Sequence, residues 1–155
     1  MQRLNLRPLA VLCAWLALAA AAGGRAGAAP TDNRALANHL VSQFVEAENT
    51  MNVALFDDIF PQNYIQHNPD VPPGLAGVKK AFEDEFKQLA AAHVSVHSTA
   101  ESVVVDGDIV VLRQMTTIDK GGKRYEARGF DEWRIAGGRL AEHWDGDGTP
   151  HPVAP

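Results

Sequence analysis

Two aspartates, one histidine and two tryptophans gather in the run Gly129-Phe-Asp-Glu-Trp-Arg-Ile-Ala-Gly-Gly-Arg-Leu-Ala-Glu-His-Trp-Asp145. Strand-like alternation on both sides of Gly137-Gly138 reads as a hairpin. A hairpin needs only β-branched and aromatic residues for stability. Charges on its buried face cost free energy unless they are paired or used. Asp131, His143 and Asp145 beside Trp133 and Trp144 therefore read as the lining of a pocket. The chemistry such groups offer is proton transfer, abstracting a proton α to a carbonyl and returning one to the oxygen.

Whether the two acids meet depends on register. Gly129, Asp131, Trp133 and Ile135 share one face of their strand, and the apolar size of Trp133 and Ile135 points that face inward. A two-residue loop pairs Ala136 with Arg139 and sets Asp131 opposite Trp144. A three-residue loop with a bulge pairs Ala136 with Leu140, setting Asp131 opposite Asp145 and Trp133 opposite His143. In the second register two like charges lie side by side, so one should retain a proton near neutral pH.

Upstream, Tyr64-Ile65-Gln66-His67 reads as a short strand ended by Asn68-Pro69. His67 and Asn68 are expected at the cavity mouth as a catalytic helper and a ligand contact. Tyr64 and Trp144 are candidate pocket residues, with core or dimer contact the favoured role for each. His67, His143, Asp131 and Asp145 could together make a mixed nitrogen and oxygen metal site. Only His143 and Asp145 stand at a tight ligand spacing, so no metal is expected. There is no glycine-rich phosphate loop and no serine nucleophile elbow, and no cofactor is expected.

The elements that must hold these residues follow from periodicity. Thr31-Asp32 caps a helix with Leu36, Leu40, Val41, Phe44 and Val45 at helical spacing. A second short helix is expected over Met51–Ile59 and a third over about Leu75–Ala91, with Val78, Phe82, Phe86 and Leu89 in a stripe. From Val94 the period becomes two. Four strands are expected, near Val94–Val105, Ile109–Ile118, Arg124–Ile135 and Leu140–Asp145, separated by glycine turns. Helices, one strand, a helix and a four-strand meander make an α+β domain, its sheet curling over the helices around a cavity.

The first 28 residues read as a secretory signal peptide. Arg3 and Arg7 precede an apolar run over Leu9–Ala22, and Ala26-Gly27-Ala28 matches a cleavage site. The run is short for a membrane span, and Cys13 lacks the small preceding residue of a lipoprotein site. Export to the periplasm or beyond is thus expected, with residues 29–155 as a single domain whose core spans about 31–147. The chain carries 14 Lys and Arg against 19 Asp and Glu. Loss of Arg3, Arg7 and Arg25 leaves the mature part at −8. Such a surface argues against nucleic acid and anionic membranes as partners. Cys13 is the only cysteine, so the mature part has no disulfide, thiolate nucleophile or thiolate metal site.

The element order, with Tyr64-Ile65-Gln66-His67-Asn68-Pro69 and Glu142-His143-Trp144-Asp145, resembles the SnoaL-like polyketide cyclases, within the nuclear transport factor two-like superfamily of cone-shaped α+β domains. The likeness spans about Thr31–Asp147. It implies a homodimer through the outer sheet face and a small hydrophobic ligand in the cavity. In these cyclases a last-strand aspartate is the acid/base of an intramolecular aldol closure without metal or cofactor, and the matching residue is Asp145. A second polar group, a histidine in the cyclases, is here Asp131. The superfamily holds cyclases, isomerases, dehydratases, epoxide hydrolases and inactive members, so fold alone does not fix activity. The expectation is an exported acid/base enzyme of cyclase, isomerase or lyase type, with Asp145, Asp131, His143 and His67 catalytic. The competing expectation is a binding or interaction domain using the same cavity without turnover.

Overall fold

The computed structural model describes residues 32–146 and 151–152. The signal-peptide reading lies outside the described residues. Helix α1 spans Arg34–Thr50, and its buried residues Ala37, Leu40, Val41, Phe44 and Ala47 repeat at the three- and four-residue spacing of one helix face. Its first backbone N–H finds Asp32, whose Oδ1 accepts from Arg34 N at 3.0 Å. It ends where Met51 takes a left-handed conformation at φ 53°. Met51 therefore stops α1 rather than opening the next helix as expected. A 3-10 turn over Val53–Leu55 and the single turn α2, Phe56–Ile59, follow instead.

Strand β1 is only Ile65–Gln66, and helix α3 runs Gly74–Ala91. The meander comprises β2 (Ser95–Asp106), β3 (Ile109–Lys120), β4 (Lys123–Ala136) and β5 (Arg139–Gly146), within a residue or two of expectation. Neighbours run β1-β5-β4-β3-β2, with β1 parallel to β5 and the other pairs on this path antiparallel. A further strand, β6 (His151–Pro152), pairs with β4 at Tyr125 and Glu126. The residues after β5 were expected as a short tail. Their return to β4 was not readable, because two residues carry no periodicity.

The helices lie on the inner face of this sheet through an aromatic core. Phe44 of α1 meets Trp133 edge to face at 5.1 Å, and Phe82 of α3 meets Phe56 at 4.9 Å. Trp133, Leu112, Val110 and Leu140 supply the sheet side, all fully buried. Gly77 lets α3 lie against the proline loop, since a Cβ there would stand 2.3 Å from the Pro72 carbonyl oxygen. Among the described residues no helix is long and apolar enough to cross a membrane. The architecture is the expected α+β cone.

Candidate active site

The register of the closing hairpin combines parts of both alternatives. Gly137 and Gly138 form a two-residue turn, at φ 59° and 77°, and Ala136 pairs with Arg139. These positive φ values match the turn type whose twist suits a tight hairpin. Yet Asp131 still stands opposite Asp145, and Trp133 opposite His143. The register shifts inside the ladder instead, between Arg134 and Ile135, where Ala141 is the extra residue of a bulge. Packing requires it. Leu140 and His143 are both buried and three residues apart, and a regular strand would point them to opposite faces.

The bulge delivers Asp131, Trp133, His143 and Asp145 to one wall of a cavity of about 540 Å³. His143 is 7% exposed and stacks on Trp133 with centroids 5.2 Å apart. Its Nε2 lies 3.0 Å from Asp131 Oδ1 and its Nδ1 lies 2.9 Å from Gln66 Oε1. Gln66 Oε1 also accepts from the Asn68 backbone N–H at 2.9 Å, so it is an acceptor and the His143 Nδ1 carries hydrogen. The 3.0 Å contact between His143 Nε2 and Asp131 is then the place where a proton can pass between imidazole and carboxyl. Asp145 is held separately, its Oδ2 accepting from Asn68 Nδ2 at 2.5 Å. Each aspartate thus has its own partner, Asn68 for Asp145 and His143 for Asp131.

Tyr64 and Asn68, two of the expected pocket residues, also line this cavity. Tyr64 is buried, and its hydroxyl accepts from Trp133 Nε1 at 3.3 Å. Burial, with Asp131 and Asp145 adding to it, pushes the phenol well above its ordinary value. It is therefore a neutral wall of the site and not a base.

His67 and Trp144 are elsewhere. Gln66 pairs with His143 in the parallel β1–β5 ladder. Gln66 and Asn68 line the cavity, while His67, between them, does not. His67 stacks on Trp144 at 4.8 Å and bonds Glu142 Oε1 at 2.8 Å, and Glu142 in turn contacts Arg134. This group occupies the outer face of the hairpin. The reason is the two-residue alternation itself: neighbours on a strand cannot both face the cavity.

The SnoaL-like domain pattern matches residues 41–143, most of the described chain. The chain belongs to the SnoaL-like family. Among solved structures the SnoaL-like domain is similar to TsrD from Streptomyces laurentii, with 26% identity, a TM-score of 0.64, and 74% of this chain and 89% of that one covered. A candidate polyketide cyclase from Bacillus cereus shares 22% identity at TM-score 0.63, over 72% and 74% of the two chains. A nuclear transport factor two-like protein from Anabaena variabilis shares 15% at TM-score 0.62, over 81% and 96%. At such identities the last two speak for the fold alone. No curated protein matches the chain.

The SnoaL-like domain also holds polar cavity residues that the sequence reading passed over. Gln66 is one. Others are Glu48 on α1, Ser98 on β2 and Gln114 on β3, a second polar group on the cavity wall. Gln114 Nε2 donates to Glu48 Oε1 at 3.4 Å and to Ser98 Oγ at 3.3 Å. Burial, with the nearby Asp131 charge, pushes the Glu48 carboxyl up to about 8. A signal existed: Glu48 stands four residues after Phe44 and seven after Val41, on the apolar stripe of α1. Among the described residues, no three His, Cys, Asp or Glu side chains are placed to hold a metal ion.

Proposed function

We propose that this SnoaL-like protein is an acid/base enzyme acting on a small hydrophobic carbonyl compound, by cyclase, isomerase or related lyase chemistry. The observation that carries the reading is the Gln66–His143–Asp131 chain standing opposite Asp145 on the wall of an aromatic cavity. Asp145, the more open carboxylate, takes a proton from the carbon next to the carbonyl. Asp131 and His143 hold the proton that returns to an oxygen of the product. Asn68 and Gln66 fix the two groups, and side chains supply both proton positions without a cofactor. His67 has no part in this scheme.

Asp145→Asn tests it. Turnover of an enolisable carbonyl compound should fall by about 10²-fold or more, as for loss of a general acid/base. Ligand binding and circular dichroism should be unchanged. Binding without turnover in the intact protein would favour the non-catalytic reading of the same cavity.

We also propose that the protein is exported and acts as a homodimer. Residues 1–28 support the first, and Edman sequencing of secreted protein should begin near Ala29. The outer sheet face supports the second, exposing Phe130 at 53% and Ile65 at 45%. A monomer in sedimentation at micromolar concentration would contradict it.

A further inference from the structure

Glu48 and Gln114 each turn a buried oxygen to the cavity, with the Ser98 side chain beside both residues. Glu48 Oε2 and Gln114 Oε1 are buried and without a hydrogen-bond partner, although both residues line the cavity. The neighbouring bonds settle what each atom can do. Gln114 Nε2 spends its hydrogens on Glu48 Oε1 and Ser98 Oγ. Glu48 Oε1 is therefore an acceptor, and the proton of a neutral Glu48 belongs on Oε2. Gln114 Oε1 remains an acceptor beside it. Two unmet groups of opposite sense on one wall are costly when left empty. A ligand oxygen that accepts from one and, once protonated, donates to the other removes that cost.

The charged groups facing Glu48 are acids. Asp131 approaches from β4 and Glu85 from α3, and both raise its carboxyl, after burial itself. Across the cavity His143 is engaged by Asp131 and Gln66. Arg128, a cation on the lining, is tied to Glu101 at 3.0 Å and Glu126 at 3.5 Å. A carboxylate ligand placed here would meet further carboxylates, and among the described lining residues the one arginine, Arg128, is already paired.

We propose that Glu48 is a catalytic acid that gives its Oε2 proton to the ligand carbonyl, and that the ligand is a neutral ketone or ester rather than a carboxylate. This rests on the acid/base reading of the cavity given above. The step balances. Asp145 takes the α-proton, the C–H electron pair forms the carbon–carbon double bond, and the carbonyl π pair takes the Glu48 proton. The product is an enol whose hydroxyl can donate to Gln114 Oε1, with Glu48 left as the carboxylate. In an aldol-type closure the enol carbon attacks a second carbonyl, whose oxygen receives the proton held by Asp131 and His143, while the enol hydroxyl returns its proton to the Glu48 carboxylate and the first carbonyl re-forms.

The test is deuterium exchange at the α-carbon of acetophenone, 2-acetylnaphthalene and 2-heptanone, followed by proton NMR in D2O with the full-length protein. Binding of 2-acetylnaphthalene and of 2-naphthoate is measured alongside by calorimetry. The intact protein should accelerate exchange and bind the ketone at least tenfold more tightly than the carboxylate at pH 7. Ketone affinity should fall severalfold as pH rises through about 8. Glu48→Gln, which keeps size and a donor, should bind the ketone without that pH dependence and lose exchange by about 10²-fold or more. Glu48→Met should lose both exchange and the preference for ketone over carboxylate. Exchange that survives in Glu48→Gln but is lost in Asp145→Asn overturns this inference and leaves the proposed function standing. Equal binding of 2-naphthoate also overturns it. No exchange of any of the three ketones by the intact protein overturns both.

Discussion

Two histidine–carboxylate pairs of nearly equal length stand back to back on the two faces of the closing hairpin. On the inner face His143 meets Asp131 at 3.0 Å, and on the outer face His67 meets Glu142 at 2.8 Å. The inner pair is nearly closed off, stacked on Trp133, and faces a second aspartate across the ladder. In the outer pair the His67 side chain is 44% exposed, and Glu142 is already neutralised by Arg134. The pairing is the same and the surroundings differ. A histidine beside an acid does not make a site; such a pair enclosed in a low-dielectric cavity beside a second acid does.

That contrast can be broken most sharply at the imidazoles. His143→Phe should reduce turnover by about 10²–10⁴-fold, the usual worth of a positioned acid or base. His67→Phe should leave turnover within about twofold, and equal losses from the two variants would erase the distinction. Stability should separate the two tryptophans next. Trp133→Ala empties a fully buried site and should cost about 3–5 kcal/mol in urea unfolding. Trp144→Ala removes one stacking partner and should cost about 0.5–1.5 kcal/mol.

The two buried glutamates sharpen the comparison in a pH titration. Glu142 is matched by Arg134 and His67, whereas Glu48 has only neutral hydrogen-bonding neighbours. A carboxyl raised in the folded state to about 8 binds its proton more tightly there than in the unfolded chain. Its contribution is full below about pH 4.5 and is lost as pH climbs through 8. Stability should therefore decline over that interval, and Glu48→Gln should flatten the decline. A Glu48→Gln protein with the same pH dependence as the parent would show that Glu48 is not the group responsible.

Much of this was legible in the chain. The switch from helical to strand period after Val94, and the glycine turns, marked the meander to within a residue or two. The inward set Asp131, Trp133 and Ile135 followed from alternation around a large apolar residue. Other features depend on contacts that local pattern does not encode. Turn length decides the register of a regular ladder, but here the bulge at Ala141 decides it, because Leu140 and His143 must both be buried. His67 adjoins Asn68 in sequence, but neighbouring residues of an extended chain point apart, so Asn68 lines the cavity and His67 does not. Glu48 was hidden because an acid on an apolar helical stripe looks like an interruption of the stripe.

Strand β1 has a kinetic consequence. The hairpin that bears the acids is local and needs only its glycine turn to begin closing. Asn68 and Gln66, which aim those acids, lie 77 residues away along the chain and arrive through a parallel pairing of two residues. Closing so long a loop carries an entropic cost that a short hairpin escapes, so β1 should dock late and open early. Hydrogen exchange at the His67 amide, which bonds the His143 carbonyl at 3.1 Å, should then be fast relative to the meander. The proton-handling groups would lose their alignment in such openings while the sheet around them stayed intact.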